Sequence, residues 1–408
     1  MIFMIECTGG VTAPKGFQAS GVRCGVKSKN NDKKDVALIL SEVECTAAAV
    51  YTLNKVKADP IYVTMEHLAD GKAWGLVANS GNANACAPNG RLYAQRMCEL
   101  AAKATGHAMA DFAVCSTGVI GQELNISVLE EGIPAAAKAL SPSGSSDAAT
   151  AIMTTDLYKK EVACTLQIGG KVVTLGAIAK GSGMIHPNMG TMLAFVTTDC
   201  AISSAMLQKA LTAVVKRSFN RVTVDGDTST NDTLCVLANG LAGNEEIINE
   251  NAAFMLFFSA LEAICVKLSK DMAADGEGAT KLICCTVSGA EDEDTAEMLA
   301  KSVVGSSLVK AAMFGEDANW GRVLCAMGYA GANFDPKSVD VKFTSAAGIV
   351  HVCCDGMAVA FSEEEAKAVL GEKEINIEIA ISGGEAEATC WGCDLTYDYV
   401  KINGDYRT

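Results

Sequence analysis

A chain of 408 residues, half of them apolar and a fifth charged, can bury a large core and divide into two or three lobes, since single cores stop growing near roughly 250–300 residues. Lys plus Arg at 33 against Asp plus Glu at 48 leaves a net charge of −15, which repels phosphate backbones and argues against nucleic acid as a partner. The opening MIFMIECTGG lacks a basic segment followed by an apolar run, and no uninterrupted apolar stretch of about 18 residues occurs, so no membrane is expected and a cytoplasmic protein is.

In chain order, Asp35 to Ser41 and Trp74 to Asn79 read as strands, and Leu92 to Thr105 carries apolar residues at helical spacing up to Gly106. Ser141 to Ser146, rich in Ser, Gly and Pro, reads as a surface linker. Beyond it, Glu161 to Gly176 alternates around Gly169 and Gly170 like a hairpin, and Thr191 to Thr197 suits a buried strand with Thr191 at its start. Ser203 to Ser218 predicts a helix opened by Ser203, and Asn251 to Met272 another, mostly apolar one. The fold class is therefore α/β, with layers of helix covering sheet. The seventeen Cys are scattered through apolar surroundings and read as small buried hydrophobes in a reducing compartment. The single CxxC, Cys390 to Cys393, has neither a second CxxC nor a His at ligand spacing, so no metal is expected there.

The most unusual segment is Ala179 to Phe195, where Gly181, Gly183 and Gly190 loosen the backbone ahead of a strand. A Gly190-Thr191 bond is suited to intramolecular scission: the Thr hydroxyl attacks the Gly carbonyl, and hydrolysis of the resulting ester frees the Thr191 amine. An α-amine titrates near roughly 7.7–8.0, so it can take the proton of its own hydroxyl without a separate His. The loop by itself reads more readily as a Gly-rich turn before an ordinary strand, and its spacing does not establish cleavage. None of His67, His107, His186 and His351 stands in a Gly-x-Ser-x-Gly elbow; His186, close to the candidate scission site, reads as a satisfied loop imidazole. Asp225 to Asp232 lacks the spacing of a calcium loop and reads as a structural turn. On their residue types alone, Thr117-Gly118 would end a strand and Glu277 would sit in a solvated turn.

The run Lys180-Gly-Ser-Gly-Met-Ile-His-Pro-Asn-Met-Gly-Thr-Met-Leu193 closely resembles the self-cleavage motif of the ornithine acetyltransferase (glutamate N-acetyltransferase) family. Six further blocks match in order: Gly9 to Phe17, Asn79 to Ala85, Ser116 to Gly121, Met153 to Asp156, Thr223 to Asp232 and Asn319 to Arg322. The resemblance implies a layered helix-sheet-sheet-helix sandwich akin to N-terminal-nucleophile enzymes. It implies cleavage into an α chain, 1–190, and a β chain, 191–408, that fold together and assemble as α2β2. It also implies a place in arginine biosynthesis, with acetyl moved from N2-acetyl-L-ornithine to L-glutamate through acetyl-Thr191.

By the same resemblance the Gly118 N–H and the Thr117 side chain form the oxyanion hole, and substrate contacts fall at Thr154, Lys180, Thr191, Glu277, Asn403 and Thr408. Lys180 and Glu277 would meet the charges of amino-acid substrates, and Asn403 and Thr408 require a docked C-terminal tail. The family usually carries Ala before the nucleophile, whereas Gly190 stands here, a more flexible residue that would weaken any strain driving scission. No cofactor is implied; acetyl-CoA stays open as a second acetyl donor. Two other readings remain at this point: an N-terminal-nucleophile amidase or aminopeptidase that delivers water to the same acyl-Thr191, and an uncleaved small-molecule binding protein.

Overall fold

In the computed structural model, which describes residues 4–27, 32–186 and 192–405, strands and helices alternate from end to end. The first lobe runs through β1 (Ile5–Cys7), β2 (Phe17–Val22), β3 (Val36–Tyr51), α1 (Asp59–His67), β4 (Lys72–Asn82), α2 (Gly90–Thr105) and β5 (Phe112–Val119). It continues with α3 (Ile126–Lys138), α4 (Ser145–Ile152), β6 (Lys160–Ile168), β7 (Lys171–Lys180), β8 (Leu193–Thr198), α5 (Ser204–Arg217), β9 (Thr233–Ala238) and α6 (Ala252–Ala274). Its strands form one sheet in the order β1-β6-β7-β8-β9-β3-β4-β5, with β2 also paired to β3.

The sixteen-residue β3 turns this sheet into a sandwich. Its first half pairs with β2 and β4, its register with β4 breaks between Leu40 and Cys45, and its second half pairs with β9. Strand side chains alternate between faces, so each half of β3 contributes to two cores. Ala37, Ile39 and Ala47 point inward and pack with Leu76, Ile178, Phe195 and Leu237 between the two halves of the sheet. Val36 and Leu38 point outward against α2 and α3, where they meet Met97 and Ile133. Ala48 and Val50 point outward at the other end, against α5 and α6, with Leu211 and Leu261. The layers are thus helix, sheet, sheet, helix, as the resemblance implied.

The second lobe comprises β10 (Leu282–Ala290), α7 (Glu293–Gly305), α8 (Ser307–Phe314), α9 (Trp320–Gly328), β11 (Asp340–Ser345), β12 (Gly348–Cys354), β13 (Met357–Ala358), α10 (Glu363–Leu370), β14 (Glu374–Ala380) and β15 (Ala386–Cys393). Its sheet, β13-β12-β11-β14-β10-β15, turns Ile283, Phe343 and Ile377 toward Leu299, Val323 and Val369 of the helices. The opposite face sets Cys284, Trp391 and Cys393 against Val222, Val224 and Ala273 of the first lobe, where Thr223 N donates to Trp391 O at 2.9 Å. A last helix, α11 (Tyr397–Asp405), returns to the first lobe.

The expected elements are present with shifted ends. The strands read at Asp35 and Trp74 extend into β3 and β4, and the hairpin turns on Gly169 and Gly170, both at positive φ. The helix expected to stop at Gly106 does so, with that residue left-handed at φ 81°. Ser203 caps α5 by accepting from Met206 N, and Asn251 caps α6 by accepting from Phe254 N. The strand expected from Thr191 is described from Leu193 onward; Gly190, Thr191 and Thr408 lie outside the described residues. α6 has the length and apolarity of a membrane span, but Phe257, Leu261, Ile264 and Leu268 on it are buried in the outer core of the first lobe.

The expected surface linker at Ser141 to Ser146 is corrected. Ser141 and Ala19 exchange backbone hydrogen bonds of 3.0 Å, Ser145 is buried with its Oγ accepting from Val11 N at 3.0 Å, and α4 starts there. Small residues stand here because the backbone passes close to β2. A Cβ on Gly144 would lie 1.8 Å from Ala19 O. Gly144→Ala is therefore expected to lower stability by about 1–3 kcal/mol, the usual range for forced overpacking. Denaturant unfolding measures this, and an unchanged midpoint would contradict the close approach.

Candidate active site

A cavity of about 230 Å³ opens where the ends of several strands meet. Thr117 and Gly118 come from the end of β5, Lys180 closes β7, Leu193 opens β8, and Ser229 to Asp232 lead into β9. Pairing fixes these neighbours: Lys180 stands opposite Leu193, and Leu193 is level with Thr233. Thr154 and Thr155 follow α4, Glu277 follows α6, and Asn403 reaches in from α11. Six of the residues nominated from the sequence, Thr117, Gly118, Thr154, Lys180, Glu277 and Asn403, line this one cavity. Met192 and Leu193, the residues directly after Thr191, line it too.

Lys180 is the buried cation of the site. Its Nζ donates to Thr117 Oγ1 at 3.3 Å, which leaves the Thr117 hydroxyl proton to serve another acceptor. Burial lowers its pKa and neighbouring Lys160 adds to that, while Asp156, Asp232 and Glu277 pull the other way. Behind it lies an ion cluster sealed from solvent: Lys160 Nζ is 2.8 Å from Asp156 Oδ1 and 2.5 Å from Asp275 Oδ2, with all three side chains fully buried. Asp156 also accepts from Gly181 N at 2.7 Å and Thr154 N at 3.0 Å. Burial alone would push the Asp156 carboxyl up, but Lys180, Lys160 and these donors hold it down at about 2. Asp275 is pushed up by burial, against the pull of Lys160, and the charge on Asp156 adds to the rise.

The glycine-rich loop is held by side chains on both sides. Met184 N and Ile185 N donate to the two oxygens of Asp225, at 2.6 and 2.9 Å, and Ser182 Oγ donates to Asp275 O at 2.6 Å. Gly183 faces Glu277 so closely that a Cβ would lie 2.4 Å from its carboxyl carbon. Glu277, read from its sequence as a solvated turn, is half-buried, faces the cavity and accepts from Asn403 Nδ2 at 2.8 Å. Gly118 has φ +132°, and a Cβ there would sit 2.3 Å from Gly81 C, so the backbone at the cavity rim requires glycine. Asn231 binds the ends of β4 and β5 together through Nδ2 bonds to Ala83 O and Ser116 O, at 2.6 and 2.8 Å.

The Asp225 to Asp232 block is thus structural, as expected, but it also supplies cavity wall, which the sequence reading did not single out. Asp156, Lys160, Asp275 and Asp232 were likewise missed. The only available signal was that two of them fall inside the matching blocks that end at Asp156 and Asp232. No His is among the described residues lining the cavity. His186 Nδ1 lies 3.0 Å from Thr223 Oγ1, and burial, with Lys301 nearby, pushes its pKa down to about 4 against the pull of Asp227. It is a neutral loop imidazole. Twelve of the seventeen cysteines are buried, Cys390 and Cys393 among them, and burial pushes the Cys390 thiol up to about 12.

The cluster makes stability depend on pH. Asp156 titrates lower in the folded chain than its ordinary 3.8, so its contribution is present above that value and is lost as pH falls through about 2. Between roughly pH 4 and pH 2 denaturant unfolding should show a loss of about 2 kcal/mol from this group. Near neutrality Lys160→Met, which strands two buried carboxyls, should cost on the order of 3–5 kcal/mol. A variant as stable as the parent would show that the cluster is not holding the loop.

A model of the ArgJ family matches residues 18–408. The arginine biosynthesis bifunctional protein ArgJ of Symbiobacterium thermophilum is 55% identical over 401 residues, 98% of this chain and 99% of that protein. Its counterpart in Caldanaerobacter subterraneus is 51% identical over 401 residues, again 98% of this chain and 99% of that one. Among solved structures, the arginine biosynthesis bifunctional protein of Bacillus halodurans matches with 46% identity and a TM-score of 0.50, covering 52% of this chain and 98% of that one. A family model spanning nearly the whole chain, near-full-length relatives above half identity and seven sequence blocks, several of which meet at one cavity, agree that the chain belongs to the ArgJ family.

Proposed function

We propose that this chain cuts itself between Gly190 and Thr191 and then moves acetyl from N2-acetyl-L-ornithine to L-glutamate through an acetyl-Thr191 ester, as an acyltransferase of arginine biosynthesis. The observation that carries this is the convergence of Thr117, Gly118, Thr154, Lys180, Glu277 and Asn403 on the cavity that the start of β8 enters. In this reading the Gly118 N–H and Thr117 hydroxyl stabilise the oxyanion of each acyl-transfer step, with Lys180 orienting Thr117. Lys180 and Glu277 offer opposite charges to an amino acid, which suits amine delivery better than water delivery. The relatives are named bifunctional, and acetyl-CoA as a second acetyl donor is the further activity in this reading.

Cleavage at this bond would divide the chain into fragments of about 190 and 218 residues. Two observations support the division into 1–190 and 191–408. The solved Bacillus halodurans chain matches over nearly its whole length, yet covers only about half of this one. The candidate bond also falls between β7 and β8, which stay paired from Leu175–Thr198 to Lys180–Leu193, so a cut leaves the ladder intact and the fragments bound. Assembly of two such pairs as α2β2, in the reducing cytoplasm that many buried free thiols suit, completes the proposal.

Denaturing electrophoresis and intact mass test it directly. The purified protein should give two fragments, and the one beginning at Thr191 should gain one acetyl on incubation with N-acetylornithine. Thr191→Ala should remain a single chain without acetyl transfer; active protein that is one unbroken polypeptide would refute the chemistry. Because Asn403 on α11 reaches the cavity, a tag appended after Thr408 should lower turnover more than an N-terminal tag does. Equal rates for the two tagged proteins would count against a role for the tail.

A further inference from the structure

Three charged residues are among the described residues that line the cavity: Lys180, Glu277 and Asp232. Lys180 is engaged with Thr117 and Glu277 with Asn403. Asp232 is only 2% exposed, and its Oδ2 has no hydrogen-bond partner among the described residues. A buried carboxyl oxygen without a partner is costly to keep, and such groups persist mainly where a ligand or a proton uses them. Its backbone is fixed on both sides: Asp232 O accepts from Thr52 N at 3.0 Å, and the next residue, Thr233, donates its N–H to Met192 O at 2.9 Å. The carboxyl therefore stands in the wall beside the residue from which β8 begins.

The proposed chemistry has a step that needs such a group. The acceptor amino acid reaches the site as an α-ammonium, which has no lone pair and cannot attack an ester. A second proton leaves the acceptor nitrogen as it attacks, and the amine freed at Thr191 takes that one and passes it to the departing Thr191 oxygen. The acceptor's extra proton needs a second receiver.

We propose that Asp232 is that receiver: its carboxylate takes a proton from the acceptor's α-ammonium, giving a free amine and a carboxylic acid. In the other half-reaction the acid returns the proton to the α-amine of departing ornithine, which leaves as an ammonium. One proton is taken and one given back per turnover, and no other reactant is needed. The surroundings suit the exchange. Burial pushes the Asp232 carboxyl well above the usual carboxylate range, with the Ser229 hydroxyl, Lys180 and the Thr52 hydroxyl opposing it. Glu277 lies in the cavity wall with it, and Asp156 and Lys160 lie behind Lys180.

This inference rests on the acetyl-transfer reading, and the test separates the two. The acetyl-enzyme is formed with N-acetylornithine, detected by mass, and its single-turnover decay is followed with glutamate or with hydroxylamine, whose nitrogen is unprotonated at neutral pH. In Asp232→Asn the glutamate-dependent decay should fall on the order of 10²–10⁴-fold, the usual span for a lost acid–base group, and the hydroxylamine-dependent decay far less. Equal losses with both acceptors, or no loss with glutamate, would overturn the proposal. Should the variant fail to fold or to mature, the unaltered enzyme still decides. Its glutamate-dependent rate should rise with pH and level off below the ammonium's own titration, and a rate that keeps rising in proportion to free amine would overturn it. Absence of an acetyl-enzyme in the unaltered protein overturns the acetyl-transfer reading, and this inference with it.

Discussion

The buried ammonium of Lys160, behind Lys180, sets the positions of the groups around the cavity. It lies between Asp156 and Asp275 with no exposed side-chain surface on any of the three, so each carboxyl must find its remaining partners within the protein. The carboxyls take backbone N–H groups of the segments that carry the site, and a serine hydroxyl from the same segments binds the Asp275 backbone carbonyl. Asp156 takes the N–H groups of Thr154 and Gly181, Asp275 takes that of Leu157, and Asp275 O takes the hydroxyl of Ser182. The stretches bearing Thr154, Lys180 and Glu277 are thereby tied to one another before any substrate arrives. Ion clusters of this kind add little net stability, because desolvation offsets attraction, but they allow few alternative arrangements. Here that restriction, with the bonds to Asp225, fixes the start of the glycine-rich loop, from Gly181 to Ile185.

The same constraint shows why the sequence reveals some of the site and hides the rest. Strands and helices with a regular apolar period, such as the stretch from Leu92 to Gly106 and the hairpin around Gly169, are readable because each satisfies its own hydrogen bonds and presents one face to a core. Lys160 and Asp275 are not readable. They are separated by 115 residues, and each taken alone resembles an ordinary solvated charge. Ser141 to Ser146 misleads for the opposite reason, since its small residues are selected by close packing against β2 and small residues are equally common in solvated loops. The second lobe passes almost unmarked because its helices are as short as eight residues and one of its strands has two. Over such lengths periodicity is hard to distinguish from chance.

Glu277 and Asp232 form an instructive pair. Both are acidic residues in polar, turn-like stretches, and both turn inward once β7, β8 and β9 come together. Glu277 does so because Gly183 has no side chain to block it, and Asp232 because its backbone is bonded to Thr52 on one side and leads into the β9 ladder on the other. Direction, not residue type, separates a cavity wall from a solvated turn, and direction is a property of the assembled sheet.

Sheet order also explains how the proposed scission between Gly190 and Thr191 would leave the fold in place. β7 and β8 are antiparallel neighbours, β8 and β9 parallel ones, and the inner core draws Ile178 from before the candidate bond and Phe195 and Leu237 from after it. The ladders and the core lie in the strands on either side, whereas the bond belongs to the short connection that joins Lys180 to Leu193. Cutting there removes a loop closure, which costs the folded state little because the strands remain paired. The change falls instead on the unfolded state, which becomes two chains, so that recovery of the fold requires association as well as folding. Met192 and Leu193, the described residues that follow the candidate bond, line a cavity whose walls are held by the Lys160 cluster, so the proposed scission calls for no rearrangement of the sandwich.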